Sequence, residues 1–274
     1  MIGEKREREG EASAEGESKK IKVEPSVRVA RYKPGSPKPP PLSSDGYTNF
    51  LIHIHDALSP YLLKDGAGSI LENIWQFSKV YPSVQAQRQA KHQMRPDDIV
   101  WSHPAETHVA SQSPLQLTLE YWQWRAKGLR NSYAVRYPAG FKDKSKCIGC
   151  LWPARAGDQV ATTHEGRDYV LLDYIAARKR IYCALYAELV KTDPAFASLL
   201  SLVCQGKKIQ LWEVDGPSPT WPEPPFNMLT SEKPGLEMNN MATVKQLLND
   251  KTHSFGHGYT IAALLLHGDE WLKE

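Results

Sequence analysis

The hydrophobic and polar positions of this chain fall into three regimes. Over the first 45 residues Glu, Lys, Ser and Gly alternate with few apolar anchors, and the stretch closes on Pro34, Pro37, Pro39, Pro40 and Pro41. Ordering such a segment costs more than its burial returns. Residues 1–45 are therefore expected to be a disordered tail, with the prolines as a stiff linker into a domain over 46–274. From residue 46 the pattern becomes periodic. Loose alternation over 49–55 predicts a strand. Ser69 is placed to cap a helix over 70–80, with Ile70, Ile74 and Phe77 on its apolar face, Trp75 beside them, and Tyr81-Pro82 ending it. The polar run 85–94 reads as a surface helix. Pro96 and Pro104 bracket a loop carrying Trp101, His103, Glu106 and His108. Pro114 opens a helix predicted over 115–129, because Leu115, Leu119, Trp122 and Ala126 recur at helical spacing. A loop rich in Gly, Lys and Pro is expected from there to about Arg167.

The third regime is the most strongly patterned. Residues 168–191 are apolar nearly all round, which predicts a long helix buried on most sides. Asp193-Pro194 then turns the chain into a short helix, Gly206 stops it, and a strand over 207–214 delivers Glu213 and Asp215. After a proline-rich, aperiodic segment over 216–236, helices are predicted over 241–248 and 258–266. The segments show no internal repeat. They also lack an alternating strand–helix series, which argues against a doubly wound sheet. The expected fold class is α-dominated (α+β with minor strand content), a single helix-rich globular domain behind the tail.

Composition sharpens this in a few places. With 41% hydrophobic residues among 274, a substantial core is available. The net charge of +3 is too small to argue for nucleic acid by itself. The charged N-terminus does not read as a signal peptide, and the longest late apolar run, 261–266, is too short to span a bilayer, so no membrane role is expected. A reducing compartment and free thiols follow for the four cysteines. In the tail, Lys5-Arg6 and Lys19-Lys20-Ile21-Lys22 are spaced like a bipartite nuclear import signal, which points to an importin as partner and the nucleus as location. Ile21-Lys22-Val23-Glu24 matches a sumoylation consensus.

Carboxylates beside indole rings are the main candidate chemistry. Glu120 neighbours Tyr121, Trp122 and Trp124, while Glu213 and Asp215 flank the strand end next to Trp212. A carboxyl against indole loses hydration and holds its proton to higher pH. Two carboxyls in different surroundings can divide acid and base work at a glycosidic bond. Ordinary roles also account for them: Glu120 paired with Arg125 or Lys127 on a wet helix face, and Glu213 and Asp215 capping a strand. Cys147 and Cys150 make half of a zinc site without a second pair. His53 and His55 alternate on the predicted strand but lack a third ligand. Phe255-Gly256-His257-Gly258 reads as a tight turn into the last helix, whose start can receive a phosphate. The chain has no Walker loop, Rossmann fingerprint or nucleophile elbow, so neither a cofactor nor a metal is implied.

Several segments, taken in order over residues 70–274, resemble the NADAR (YbiA-like) family of N-glycosidases. They are Phe77-Ser78-Lys79-Val80-Tyr81-Pro82, Glu120-Tyr121-Trp122-Gln123-Trp124-Arg125-Ala126-Lys127, the run 180–206, Leu211 to Asp215, and the stretch 256–266. The resemblance implies a helix-rich fold and hydrolysis of an N-glycosidic bond in a nucleotide or ADP-ribosylated substrate. It makes Glu120 and Asp215 the catalytic carboxylates, and Trp122, Trp152, Glu213, Lys127, Tyr81 and Gly256 the substrate-binding residues. Lys79 stands where the family has Asn, Tyr121 where it has His, and Gly216-Pro217 where it has Trp-Gly. The alternative is a non-catalytic nuclear module that contacts protein or nucleic acid through the tail and its tryptophans. The two readings separate on whether Glu120 and Asp215 share one pocket.

Overall fold

The computed structural model describes residues 25–52, 56–86, 101–140, 142–218, 220–230 and 232–273. The tail motifs, the His53/His55 pair and most of the helix expected over 85–94 lie outside them.

At the centre is a four-stranded sheet in the order β12-β1-β11-β2. It is built from β1 (Ser26–Arg31), β2 (Thr48–Leu51), β11 (Lys208–Glu213) and β12 (Gly235–Glu237). β1 and β2 run parallel to β11, and β12 runs antiparallel to β1. The last helix, α7 (His257–His267), packs on β1 and β11 and meets α4 (Ala184–Lys191), α5 (Pro194–Cys204) and α6 (Met241–Asn249). α7 buries nearly every side chain from Gly258 to Leu265, which its apolar sequence requires. α5 starts where Asp193 accepts a hydrogen bond from the Ala195 amide, with Pro194 in its first turn, and the chain leaves it through Gly206 at φ +76°.

β1 corrects the expected tail boundary: the fold begins inside residues 1–45, not at Gly46. Val27 and Val29 are fully buried in the main core. Arg28 points the other way, over the Tyr47 ring at 3.7 Å, paired with Asp45 and bonded to Gln210. A six-residue strand of alternating Val and Arg was diluted by the polar composition around it.

The second half of the architecture is an antiparallel sheet in the order β3-β8-β10-β9. Its strands are β3 (Lys79–Val80), β8 (Gly149–Pro153), β9 (Thr162–His164) and β10 (Arg167–Leu172). Beside it lie α1 (Leu71–Phe77), α2 (Leu119–Leu129) and two small two-stranded sheets, β4 (Ser83–Val84) with β5 (Glu106–Thr107) and β6 (Val109–Gln112) with β7 (Leu115–Leu117). Phe77, Tyr81, Trp101, Tyr121 and Trp124 form their own aromatic core here. α1 and α2 approach so closely that a Cβ on Gly128 would lie 2.1 Å from the Phe77 ring.

The helix-rich expectation, shared by the pattern and the family resemblance, is therefore overturned: the chain is mixed α/β, 33% helical and 22% strand, in four sheets. Two misread periods account for much of the difference. Leu115–Leu117 pairs with β6 as a hairpin, so α2 starts only at Thr118, whose hydroxyl accepts from the Tyr121 amide. Residues 167–172 form β10, whose apolar part, Tyr169 to Leu172, is a strand paired with β8 and β9. The helix begins after Asp173, which accepts from the Ala176 amide. It runs through α3 (Tyr174–Ala177), a π-helical stretch (Arg178–Cys183) and α4. Among the described residues, no helix is long and apolar enough to cross a membrane.

Candidate functional site

The wide π-helical turn re-aims side chains that an α-helix would place elsewhere, and such turns occur frequently at functional sites. Two of its residues, Arg178 and Tyr182, wall a cavity of about 440 Å³. α1 supplies Glu72, Trp75 and Gln76, the two residues after β11, Val214 and Asp215, join them, and the entry into α7 supplies Ser254 to His257. Tyr61 and Arg136 close it. The cavity lies where the two sheet systems meet, with α1 as the shared wall.

Its charges form one cluster. Glu72 is buried and accepts a hydrogen bond from Gln76 Nε2 at 2.7 Å. Burial pushes its carboxyl above the ordinary value, the nearby Asp215 adds to the rise, and Lys79 and Arg136 oppose it. Arg136 lies 3.5 Å from Asp215. Tyr61 is driven up by burial and by Glu72 and Asp215, with Arg136 opposing. Arg178 holds the architecture behind them. Its guanidinium donates to the carbonyls of Leu247, Leu248, Asp250 and His253, pinning the end of α6 and the loop after it. Trp75 meets Tyr182 edge-on at 5.6 Å and carries Lys79 Nζ 5.0 Å over its ring.

A smaller cavity of about 210 Å³ adjoins the first, sharing Gln76, Arg136, Asp215 and Ser254 with it and adding Lys79, Tyr81 and Lys144. Three cationic side chains against one carboxylate make this annex positive.

Behind the site, Glu213 is fully buried at the start of α7. His257 Nδ1 lies 3.2 Å from its Oε2, and the amides of Gly258 and Tyr259 face the carboxylate, although neither oxygen makes a hydrogen bond of good geometry. Burial raises its pKa, and His257 opposes the rise. A Cβ on Gly256 would sit 2.6 Å from the carboxylate and one on Gly258 2.9 Å. The glycines around His257 thus admit the chain's own Glu213 to the helix start at which the sequence suggested a phosphate.

Asp215 and Gly256 line the larger cavity, and Asp215 and Tyr81 the smaller one. Glu213 stands behind the wall. Glu120 is exposed in the first turn of α2, outside both linings, so the structure does not bring it to Asp215 at either cavity. Trp122 stacks on His164 at 3.9 Å, Lys127 lies 5.2 Å over Trp101, and half-buried Trp152 packs against the cluster around Ile74 and Ile181. Glu72, Tyr61, Arg136 and Arg178 went unnoticed in the sequence. Glu72 had a signal, an acid followed one turn later by a glutamine on a helix that also carries Ile74 and Phe77. Arg136 sits in a stretch with no periodicity to mark it. Among the described residues no group of three or more His, Cys, Asp or Glu is arranged to hold a metal ion.

Compared with protein-family models, curated protein sequences and solved structures, the chain matches none of them.

Proposed function

We propose that this protein hydrolyses an N-glycosidic bond in a nucleotide or ADP-ribosylated substrate, with the larger cavity as its site and Glu72 and Asp215 as its carboxyl pair. The observation that carries the reading is that these two acids, differently surrounded, open on one aromatic-walled cavity. Glu72, whose burial favours the protonated form, gives its proton to the departing base. Asp215, held by Arg136, faces the anomeric carbon, stabilises the oxocarbenium-like transition state and orients the attacking water. Trp75, Tyr61 and Tyr182 offer faces to the base. The positive annex of Lys79, Arg136 and Lys144 receives phosphate oxygens. The resemblance assigned the first carboxyl to Glu120, which shares no pocket with Asp215, an outcome that by itself favours the binding module; the hydrolase reading therefore rests on Glu72, which lines the cavity, as the first carboxyl.

The test is release of free base from NAD, nucleotides and ADP-ribosylated guanine, followed by chromatography. Glu72→Gln and Asp215→Asn are each expected to slow release by roughly 100-fold or more. Turnover unchanged in either variant rejects the pair. Glu72 also has Gln76 as a partner, as a purely structural buried acid would. A ligand that raises the melting temperature of the wild type without any base release would make this a nucleotide-binding module instead. The basic clusters of the tail are proposed to carry the chain into the nucleus on an importin. Replacing Lys19, Lys20 and Lys22 by Ala should then leave a fluorescent fusion of the full chain outside the nucleus, and undiminished nuclear signal would refute it.

A further inference from the structure

Cys147 and Cys150, which the proposed reaction does not use, flank the first residue of β8, the strand that pairs with β3 and its Lys79. The backbone fixes both: the Ile148 amide donates to the Val80 carbonyl at 2.9 Å and the Leu151 amide to the Ser78 carbonyl at 2.7 Å. Cys150 pairs in register with Lys79, whose ammonium also lines the smaller cavity. Gly149 between them is packed against β10, where a Cβ would lie 2.9 Å from the Leu171 side chain and the Leu172 carbonyl. Only glycine lets this bend form against β10. Cys147 is half-buried and its thiol donates to the Gly149 carbonyl at 3.2 Å, whereas Cys150 is 2% exposed.

We propose that Cys147 and Cys150 are an oxidant-sensitive dithiol that a peroxide closes to an intrachain disulfide. The geometry divides the roles. Cys147 is the more exposed of the two, and a hydrogen bond from Cys150, then the charge of the Lys79 ammonium, hold its thiol down to about 6 against the effect of burial. A low, accessible thiol beside a cation and a second cysteine is the arrangement in which thiolate chemistry is fast. Cys150, pushed up by its neighbour thiolate and by burial, keeps its proton until it attacks. Cys183 is no competitor, since burial lifts its thiol to about 12.

The Cys147 thiolate attacks one peroxide oxygen and expels hydroxide, leaving a sulfenic acid. The Cys150 sulfur then attacks the Cys147 sulfur, forming the S–S bond as hydroxide departs and takes up the Cys150 proton. In sum, two thiols and one hydrogen peroxide give one disulfide and two waters. The reaction is independent of any glycosidase activity.

The test uses the full chain and hydrogen peroxide. Trypsin cuts after Lys146 and Arg155, so both thiols leave on one peptide, 147–155. That peptide is expected to lose two hydrogens after peroxide, to resist alkylation, and to regain both thiols with dithiothreitol. In the untreated chain, iodoacetamide should label Cys147 about tenfold faster than exposed Cys204 at neutral pH. Cys150→Ser should stop the reaction at a sulfenic acid that dimedone traps at Cys147. A peptide that stays a dithiol, oxidation straight to sulfinic acid, or Cys204 reacting first would each overturn the proposal. The first and last of these readouts need only the wild-type chain, so a variant that fails to fold does not protect it.

Discussion

Two glutamates, Glu72 and Glu213, are buried, and burial raises the pKa of both. Their ordinary value is 4.5, so below that pH folded and unfolded chains alike hold the protons and these residues contribute no pH dependence. Above it the unfolded chain releases protons the folded chain retains, and stability falls as pH rises until the folded carboxyls titrate. Each unit of upward shift removes about 1.4 kcal/mol. Urea denaturation should therefore show Glu72→Gln losing less stability than the wild type between about pH 5 and pH 8. A parallel decline in the two proteins would mean Glu72 is already ionised in the fold. At Gly256 the expected effect is steric. Gly256→Ala drives a methyl into the Glu213 carboxylate and should cost roughly 1–3 kcal/mol, read from the urea midpoint. Asp215 could be picked out of the sequence because it follows a clear strand. Glu72 carried only the weak signal of a glutamine one turn on, since its burial comes from residues distant in the chain that remove its water.

Elements with both a period and a stop signal were legible. The strand 207–214 appears as Lys208–Glu213, and the predicted helices 241–248 and 258–266 appear as Met241–Asn249 and His257–His267. Where an apolar run lacked a stop, helix and strand could not be told apart. Residues 167–172 needed their partner Gly149–Pro153, and that partner lay in a region read as loop. β1 shows the same dependence, because its pairing with β11 joins residues 182 apart in the chain. Val29→Asp should abolish cooperative unfolding altogether, as it buries a charge against α7 and β11 with no partner. An unchanged melting transition would remove β1 from the core. Asp193→Ala, which takes away only the cap of α5, should cost about 1 kcal/mol.

At the scale of the molecule, two sheets with separate hydrophobic centres meet across α1 and the π-helical turn, and the cavity opens at that seam. A site assembled from α1, the end of β11, the turn before α7 and Arg136 has no local sequence signature. The motif-like stretch around Glu120 does have one, yet its buried residues build the aromatic core and Glu120 itself is exposed, outside both cavity linings. The same seam makes Arg178 structural as well as cavity-lining. Arg178→Ala strands the carbonyls of Leu247, Leu248, Asp250 and His253 and should lower stability by about 3 kcal/mol.

The most direct test compares three variants in one base-release assay against the substrate that most raises the wild-type melting temperature. Glu72→Gln and Asp215→Asn should lose roughly 100-fold or more in kcat, while Glu120→Gln stays within about twofold of the wild type. Loss of turnover in Glu120→Gln with Glu72→Gln fully active would contradict the account, because the chemistry would then lie outside the cavity at the seam.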